Sequence, residues 1–218
     1  LAWNPKQQNT VVIAKFDIEM TDQLLQCLRP KMWLNDEVIN FYMKLLDQRN
    51  ITNKGPKYHF YNAFFYKTLS TKGYQKVKRW SSKAKIKIIQ MDKIFIPLNV
   101  GEDHWCLAVI NFQDKRFEYY DSLLGNNQTC LDNLRQYVIN EVKQYSSDSW
   151  TKFKKELDSW TDYTPKEIPK QYNHSDCGVF ILKYADCLSD NCPLIFTEAD
   201  MGYFRKKIVL QIISQKIE

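Results

Sequence analysis

From Ile94 the hydrophobic period of this 218-residue chain changes to two, and that change restricts the fold more than any other feature. Ile94 to Leu98 reads as a strand, 99 to 103 as a turn containing Gly101, Trp105 to Phe112 as a second strand, and Arg116 to Asp121 as a third. The hairpin between the last two closes near Asp114, so antiparallel pairing puts position 104 opposite roughly 122 to 124. Asp121 then lies at the same end of the sheet as His104, within side-chain reach.

Helical periods occupy most of the remainder. Thr21 caps a segment carrying Leu24, Leu25 and Leu28 that Pro30 ends, and Asn35 or Asp36 begins an amphipathic helix with Val38, Phe41, Tyr42, Leu45 and Leu46 inward. Leu131, Leu134, Tyr137, Val138 and Val142 mark another, started by Thr129 or the Asn-rich turn before it. Thr197-x-x-Asp200 resembles a capping box ahead of Phe204, Ile208, Val209, Ile212 and Ile213. A short strand is expected at Val11 to Ile13 after a frayed start, and another around Ile86 to Ile89. A polar surface region runs from Ser146 to Pro169 with a short strand near Trp160 to Tyr163. The aromatic run from Tyr58 to Tyr74 should be mostly core, leaving one or two rings exposed for a partner.

A hydrophobic content of 44% and an aromatic content of 14% fit a globular chain, expected to be one domain. No run of 18 apolar residues occurs, the first residues lack the plan of a signal peptide, and the chain reads as soluble. It starts at Leu1, not at a methionine, and is expected to be a fragment of a longer protein. Six scattered cysteines without a CxxC pair, and three histidines, argue against a disulfide framework or a structural zinc site and for a reducing compartment. The net charge of +6 includes the clusters Lys83, Lys85, Lys87 and Lys152, Lys154, Lys155, which suit a solvated face or an acidic protein partner. No nucleic-acid recognition motif accompanies them.

Chemistry is concentrated in Gln171 to Phe180. The apolar run Val179, Phe180, Ile181, Leu182, Ala185 and Leu188 makes a buried helix, and Ser175 or Asp176 is placed to cap it. Cys177 then occupies the first turn, where unpaired N–H groups and the helix dipole favour a thiolate. Gly178 permits a close approach at that point. A free cysteine is more often a packing residue, so the reading needs a base and an orienting acceptor. His59 lies in the aromatic run and His174 in a loop, whereas His104 has Asp121 at its sheet end. Gln171, stiffened by Pro169 before it, can donate into an oxyanion hole beside the Cys177 N–H, a contact worth about 3 kcal/mol in such sites.

Trp33-Leu34-Asn35-Asp36-Glu37, His104-Trp105-Cys106-Leu107, Tyr119-Tyr120-Asp121-Ser122 and Gln171 through Asp176-Cys177-Gly178 resemble the signature blocks of the ubiquitin-like-protein-specific cysteine proteases. The likeness is greatest to the SUMO (sentrin) specific branch, and Tyr203-Phe204-Arg205-Lys206 extends it nearly to the C-terminus. The resemblance implies an α+β, papain-like (adenain-like) fold with a mixed central sheet flanked by helices, forming one catalytic domain over 1–218. It implies a His104, Asp121, Cys177 triad with Gln171 in the oxyanion hole, and no metal or cofactor. Trp33 and Trp105 would clamp the Gly-Gly tail of the modifier, while Asp36 and Tyr61 would face its body. Because Trp105 follows His104 directly, that clamp calls for an irregular strand start at 104 to 105. The implied partners are SUMO and SUMO-conjugated proteins, with no nucleic acid or membrane insertion, for a monomer in the nucleus, at its envelope or pore, and in the cytoplasm. Alternatives are a protease of the same fold for NEDD8 or ubiquitin, and an inactive SUMO-binding module.

Overall fold

The computed structural model describes residues 10–145 and 150–217. The frayed start falls outside these, as does the beginning of the polar stretch after 145. Two short strands, β1 (Val11–Lys15) and β2 (Ile18–Thr21), pair antiparallel. Thr21 accepts from Leu24 N and caps α1 (Asp22–Leu25), which tightens into a 3-10 turn at Gln26–Leu28 ahead of Pro30. Asn35 Oδ1 accepts from Val38 N at 2.9 Å and starts α2 (Asp36–Asn53), whose buried side carries Val38, Phe41, Tyr42, Leu45 and Leu46.

The main sheet holds β3 (Tyr58–Phe60), β4 (Lys93–Val100), β5 (His104–Asn111), β6 (Arg116–Tyr120) and β7 (Thr161–Tyr163) in that order. Its centre is antiparallel and each outer strand joins it parallel, so the sheet is mixed. The expected hairpin register is observed: Leu107 lies opposite Tyr120, which carries position 104 toward 123. The sheet separates two apolar cores, as alternation along β5 requires. Trp105, Leu107 and Val109 pack with α2, α8 (Cys177–Ser189) and α9 (Met201–Ser214). Cys106, Ala108 and Ile110 pack with α3 (Phe64–Lys72) and α6 (Gln128–Tyr145). Asn127 Oδ1 takes Cys130 N at the start of α6, so the Asn-rich turn supplies the cap, not Thr129.

Three expectations need correction. The segment 86–89 forms no strand; after the short helices α4 (Tyr74–Val77) and α5 (Trp80–Lys83) it becomes a 3-10 turn at Ile88–Gln90 that buries Ile88. The polar region after 146 contains a helix, α7 (Trp150–Leu157), and anchors itself in the core through Leu157 and Trp160. Strand β5 starts regularly, with Val100 opposite His104 and Asn99 opposite Trp105. Trp105 therefore reaches the α8 side by ordinary alternation and needs no irregular start.

No helix among the described residues is long and apolar enough to cross a membrane.

Candidate active site

Cys177 is the first residue of α8 and is buried. Asp176 holds the N-cap position, and its carbonyl accepts from Phe180 N, but its side chain bonds no N–H of the helix. Its carboxylate turns instead to Arg205, with Oδ1 2.6 Å from Nη2, and to Asn173, with Oδ2 2.7 Å from Nδ2. The expected side-chain cap is thus replaced by an ion pair, which leaves the first-turn N–H groups for an anionic ligand.

His104, half-buried at the start of β5, meets Asp121 just beyond the end of β6, with Nε2 and Oδ1 2.7 Å apart. Leu123 N also donates to Oδ1 at 2.8 Å, and Gly125 N to Oδ2 at 3.1 Å, so three donors fix the carboxylate plane. A Cβ on Gly125 would lie 2.4 Å from Asp121 Oδ2, so this turn requires glycine. Burial opposes charge on His104, but its bonds to Asp121, Cys106 and Cys177 outweigh that and hold it well above the ordinary 6.5. Burial likewise opposes the Asp121 charge, and the bond from His104 with the Leu123 and Gly125 amides wins, holding it below 3.8. Both shifts favour an imidazolium–carboxylate pair beside the Cys177 sulfur. Cys106 also offers its sulfur to this cluster, and the donor atoms of His104, Cys106 and Asp121 lie within 4.8 Å of one another. The 2.7 Å bond already joins two of the three, so they stand as a proton-sharing pair with a thiol behind it. By contrast, burial pushes His59 down to about 4, which leaves it neutral within the core.

Gln171 is buried, and its backbone N–H donates to Ser122 O at 2.9 Å, tying it to the chain just after Asp121. Ser122 Oγ donates to Gln171 Oε1 at 3.0 Å, which turns Nε2 toward the loop before Cys177. One of its N–H groups reaches Asn173 O at 3.1 Å and the second remains as a donor. Asn173 and Glu198 knit that loop: Asn173 Oδ1 takes the amides of Ser175 and Asp176, and Glu198 Oε1 takes those of Tyr172 and Asn173.

Trp33 is 48% exposed and Trp105 only 5%. Trp105 Nε1 donates to Leu34 O at 2.9 Å, fixing the segment that carries Trp33. Asp36 opens α2 half-buried and lines a groove of about 480 Å³ with Trp105, Asn99 and Phe64. A Cβ on Gly178 would meet Leu34 Cβ at 2.8 Å, so the close approach foreseen at Gly178 is to Leu34. Gly178→Ala is therefore expected to cost about 1–3 kcal/mol and to displace the Trp33 segment. Thermal melts and steady-state rates of the variant check this, and an unchanged Tm would show that Leu34 yields freely.

Tyr61 does not face a partner. It is 3% exposed, stacked on Phe65 at 3.8 Å, and its hydroxyl lies 2.7 Å from that of Tyr137 in α6. The rings from the aromatic run that do line the groove are Phe64, 49% exposed at the start of α3, and the half-buried Tyr66. Tyr61→Phe is expected to lower stability by about 1 kcal/mol while leaving substrate affinity unchanged. Denaturant melts and a binding titration separate the two effects.

The residues that sequence reasoning passed over are Asn173, Glu198, Leu34 and Arg205. Arg205 is 3% exposed and bonds Asp176 through Nε and Nη2. Its remaining N–H groups reach the carbonyls of Cys27, Arg29, Met32 and Ser175. One guanidinium thus ties α9 to the segment before Trp33 and to the loop before Cys177. The dense block around 203–206 was the available signal, but nothing local says where a buried arginine points.

Comparison with known proteins gives this geometry its context. Residues 32–217 match the Ulp1 protease family, C-terminal catalytic domain. The chain is 37% identical over 217 residues to a sentrin-specific protease of Caenorhabditis elegans, covering 99% of this chain and 30% of that one. It is 38% identical over 214 residues to human sentrin-specific protease 2, covering 96% of this chain and 35% of the other. The chain thus spans about a third of the length of these two relatives. The solved C-terminal Ulp1 protease domain in complex with Smt3, the yeast ortholog of SUMO, superposes with a TM-score of 0.83 at 31% identity, over 96% of this chain and 90% of that one. With this α+β, papain-like architecture, the chain belongs to the Ulp1 protease family.

Proposed function

We propose that this chain is a SUMO-specific cysteine protease domain that hydrolyses the bond after the C-terminal Gly-Gly of SUMO, both in precursors and in conjugates to target lysines. The single observation that carries the reading is the charged His104–Asp121 pair, 2.7 Å apart, beside a cysteine at a helix start whose N-cap side chain is turned away. The Cys177 thiolate adds to the carbonyl of the last glycine, and the Cys177 N–H with the free N–H of Gln171 holds the oxyanion. His104 gives its proton to the departing amine as the carbon–nitrogen bond breaks, leaving a thioester. It then takes a proton from water, whose oxygen replaces sulfur and frees the SUMO carboxylate. Asp121 holds the ring in one orientation throughout.

Trp105 and Trp33 flank the Leu34 segment, and we assign them to the thin Gly-Gly tail, which two indoles admit more readily than a bulkier peptide. Asp36, with Phe64 taking the place expected of Tyr61, faces the body of the modifier. SUMO and its conjugates are the proposed partners of a monomeric domain at work in the nucleus and cytoplasm, compartments that suit its six free thiols.

A panel of vinyl sulfone probes, one per modifier, tests the assignment. Cys177 should be labelled by the SUMO probe and spared by those built on NEDD8 and ubiquitin. Labelling by either of the latter instead of SUMO overturns the specificity, and failure to turn over a SUMO–coumarin substrate would leave an inactive binding module.

A further inference from the structure

Between Asp47 and Asp92 the chain holds no acidic residue, whereas eleven lysines and arginines fall in the same stretch. The whole chain is only +6, so its surplus charge lies entirely here. Arg49 pairs with Asp186 and Lys67 with Glu102, and the other nine carry no ion pair among the described residues. Such a run is merely a solvated face unless the surface beneath it offers more than charge. Beside α5 it does. A depression of about 290 Å³ lies between the 3-10 turn at Ile88–Gln90 and the last turns of α6, with Ile86, Ile89, Val142 and Tyr145 in its lining. The exposed Lys85 and Lys87 line it too, and Lys83 ends the short helix whose Ser81 and Ser82 complete it. The one carboxylate in the lining, Glu141, is 2% exposed and accepts from Ser81 Oγ and Tyr74 Oη, so both its oxygens are already taken. Counted as a full charge, it still leaves the three lysines in excess.

The depression stands well away from the reacting groups. Its 3-10 turn leads into β4, whose first residue Lys93 lies opposite Asn111 and whose last, Val100, lies opposite His104. At about 3.3 Å per residue the two ends of that strand are roughly 20 Å apart. A segment held here leaves Cys177 and the groove assigned to the modifier open. We propose that this surface is an exosite for an acidic peptide segment with an apolar side chain between its carboxylates, offered by a protein other than the modifier. The inference goes beyond the proposed hydrolysis and does not rest on it. The lysines supply attraction at a distance, and the isoleucines and valine receive the apolar side chain. A single-stranded nucleic acid fits less well, because it needs several exposed rings to stack on and the lining offers Tyr145 alone among aliphatic side chains.

The probe is a fluorescein-labelled peptide with one leucine between two runs of glutamate, compared with a version carrying Gln for every Glu, a version carrying Gly for the leucine, and an oligothymidine of equal charge. Fluorescence anisotropy gives each affinity at low and at high salt. The parent peptide should bind about fivefold or more tighter than either version at low salt, and high salt should remove its lead over the Gln version. Lys85→Glu combined with Lys87→Glu should abolish that lead while leaving Tm and the turnover of a SUMO–coumarin substrate unchanged. Saturating peptide should leave that turnover unchanged as well. The affinities need no turnover, so they decide the exosite whether or not the hydrolase assignment holds. Equal affinity for the Glu and Gln versions, a lead that survives the double substitution, tighter binding of the oligothymidine, or inhibition of turnover by the peptide overturns the exosite.

Discussion

Cys177→Ala is expected to lower turnover of a SUMO fusion by at least about 10⁴-fold while leaving SUMO affinity close to that of the parent protein. The thiol is buried at the start of α8, so it adds little area to the interface proposed at the groove of Asp36, Phe64 and Trp105. Removing a nucleophile that works as a unit with its base removes nearly all the chemistry of that unit. Rates from single-turnover cleavage and affinities from calorimetry give the two numbers independently. Residual hydrolysis within about a hundredfold of the parent would move the nucleophile elsewhere.

Asp121→Asn should lose about 10³- to 10⁴-fold, less than His104→Ala. Oδ1 accepts from both His104 and Leu123 N, so the amide oxygen must stay on that side, and the new NH₂ then faces the Gly125 N–H across 3.1 Å. The substitution thus sets two donors against each other as well as removing a charge. Its pH profile carries the sharper signature. His104 is raised in the folded protein, so its stabilisation is fully present below its ordinary 6.5 and is lost only as pH rises through the raised value. Asp121 is lowered, so its share is present above 3.8 and is lost only as pH falls through the depressed value. The pair therefore persists across the neutral range. Without the carboxylate His104 loses its largest raising contact and burial pulls it downward against Cys106 and Cys177 alone, so the alkaline limb of kcat/KM should move to lower pH. An unmoved limb would mean that His104 owes its charge to something other than Asp121.

The His104–Asp121 meeting was legible because it depends on counting residues around one hairpin, and strand pairing is a local matter of register. The caps at Thr21 and Asn35 were legible for the same reason, since each donor lies three residues from its acceptor. Tyr61 was misplaced because its burial is decided by Tyr137, on a helix far along the chain. Helix α7 was missed because three lysines mask a short apolar stripe that matters only once Leu157 and Trp160 find the sheet. Asp176 was taken for a capping side chain because that is its local habit, and only the folded chain shows Arg205 competing for it.

The Arg205 guanidinium has a consequence for the order in which this site can come into being. During synthesis Cys177, His104 and Asp121 all leave the ribosome before α9 does. Until Arg205 arrives, Asp176 lacks the cation that holds it at 2.6 Å, and burying it unpaired would cost several kcal/mol. The carbonyls of Cys27, Arg29 and Met32 also wait for that one side chain. A nascent chain holding every reactive group therefore still lacks the one side chain that ties the loop before Cys177 to the segment before Trp33.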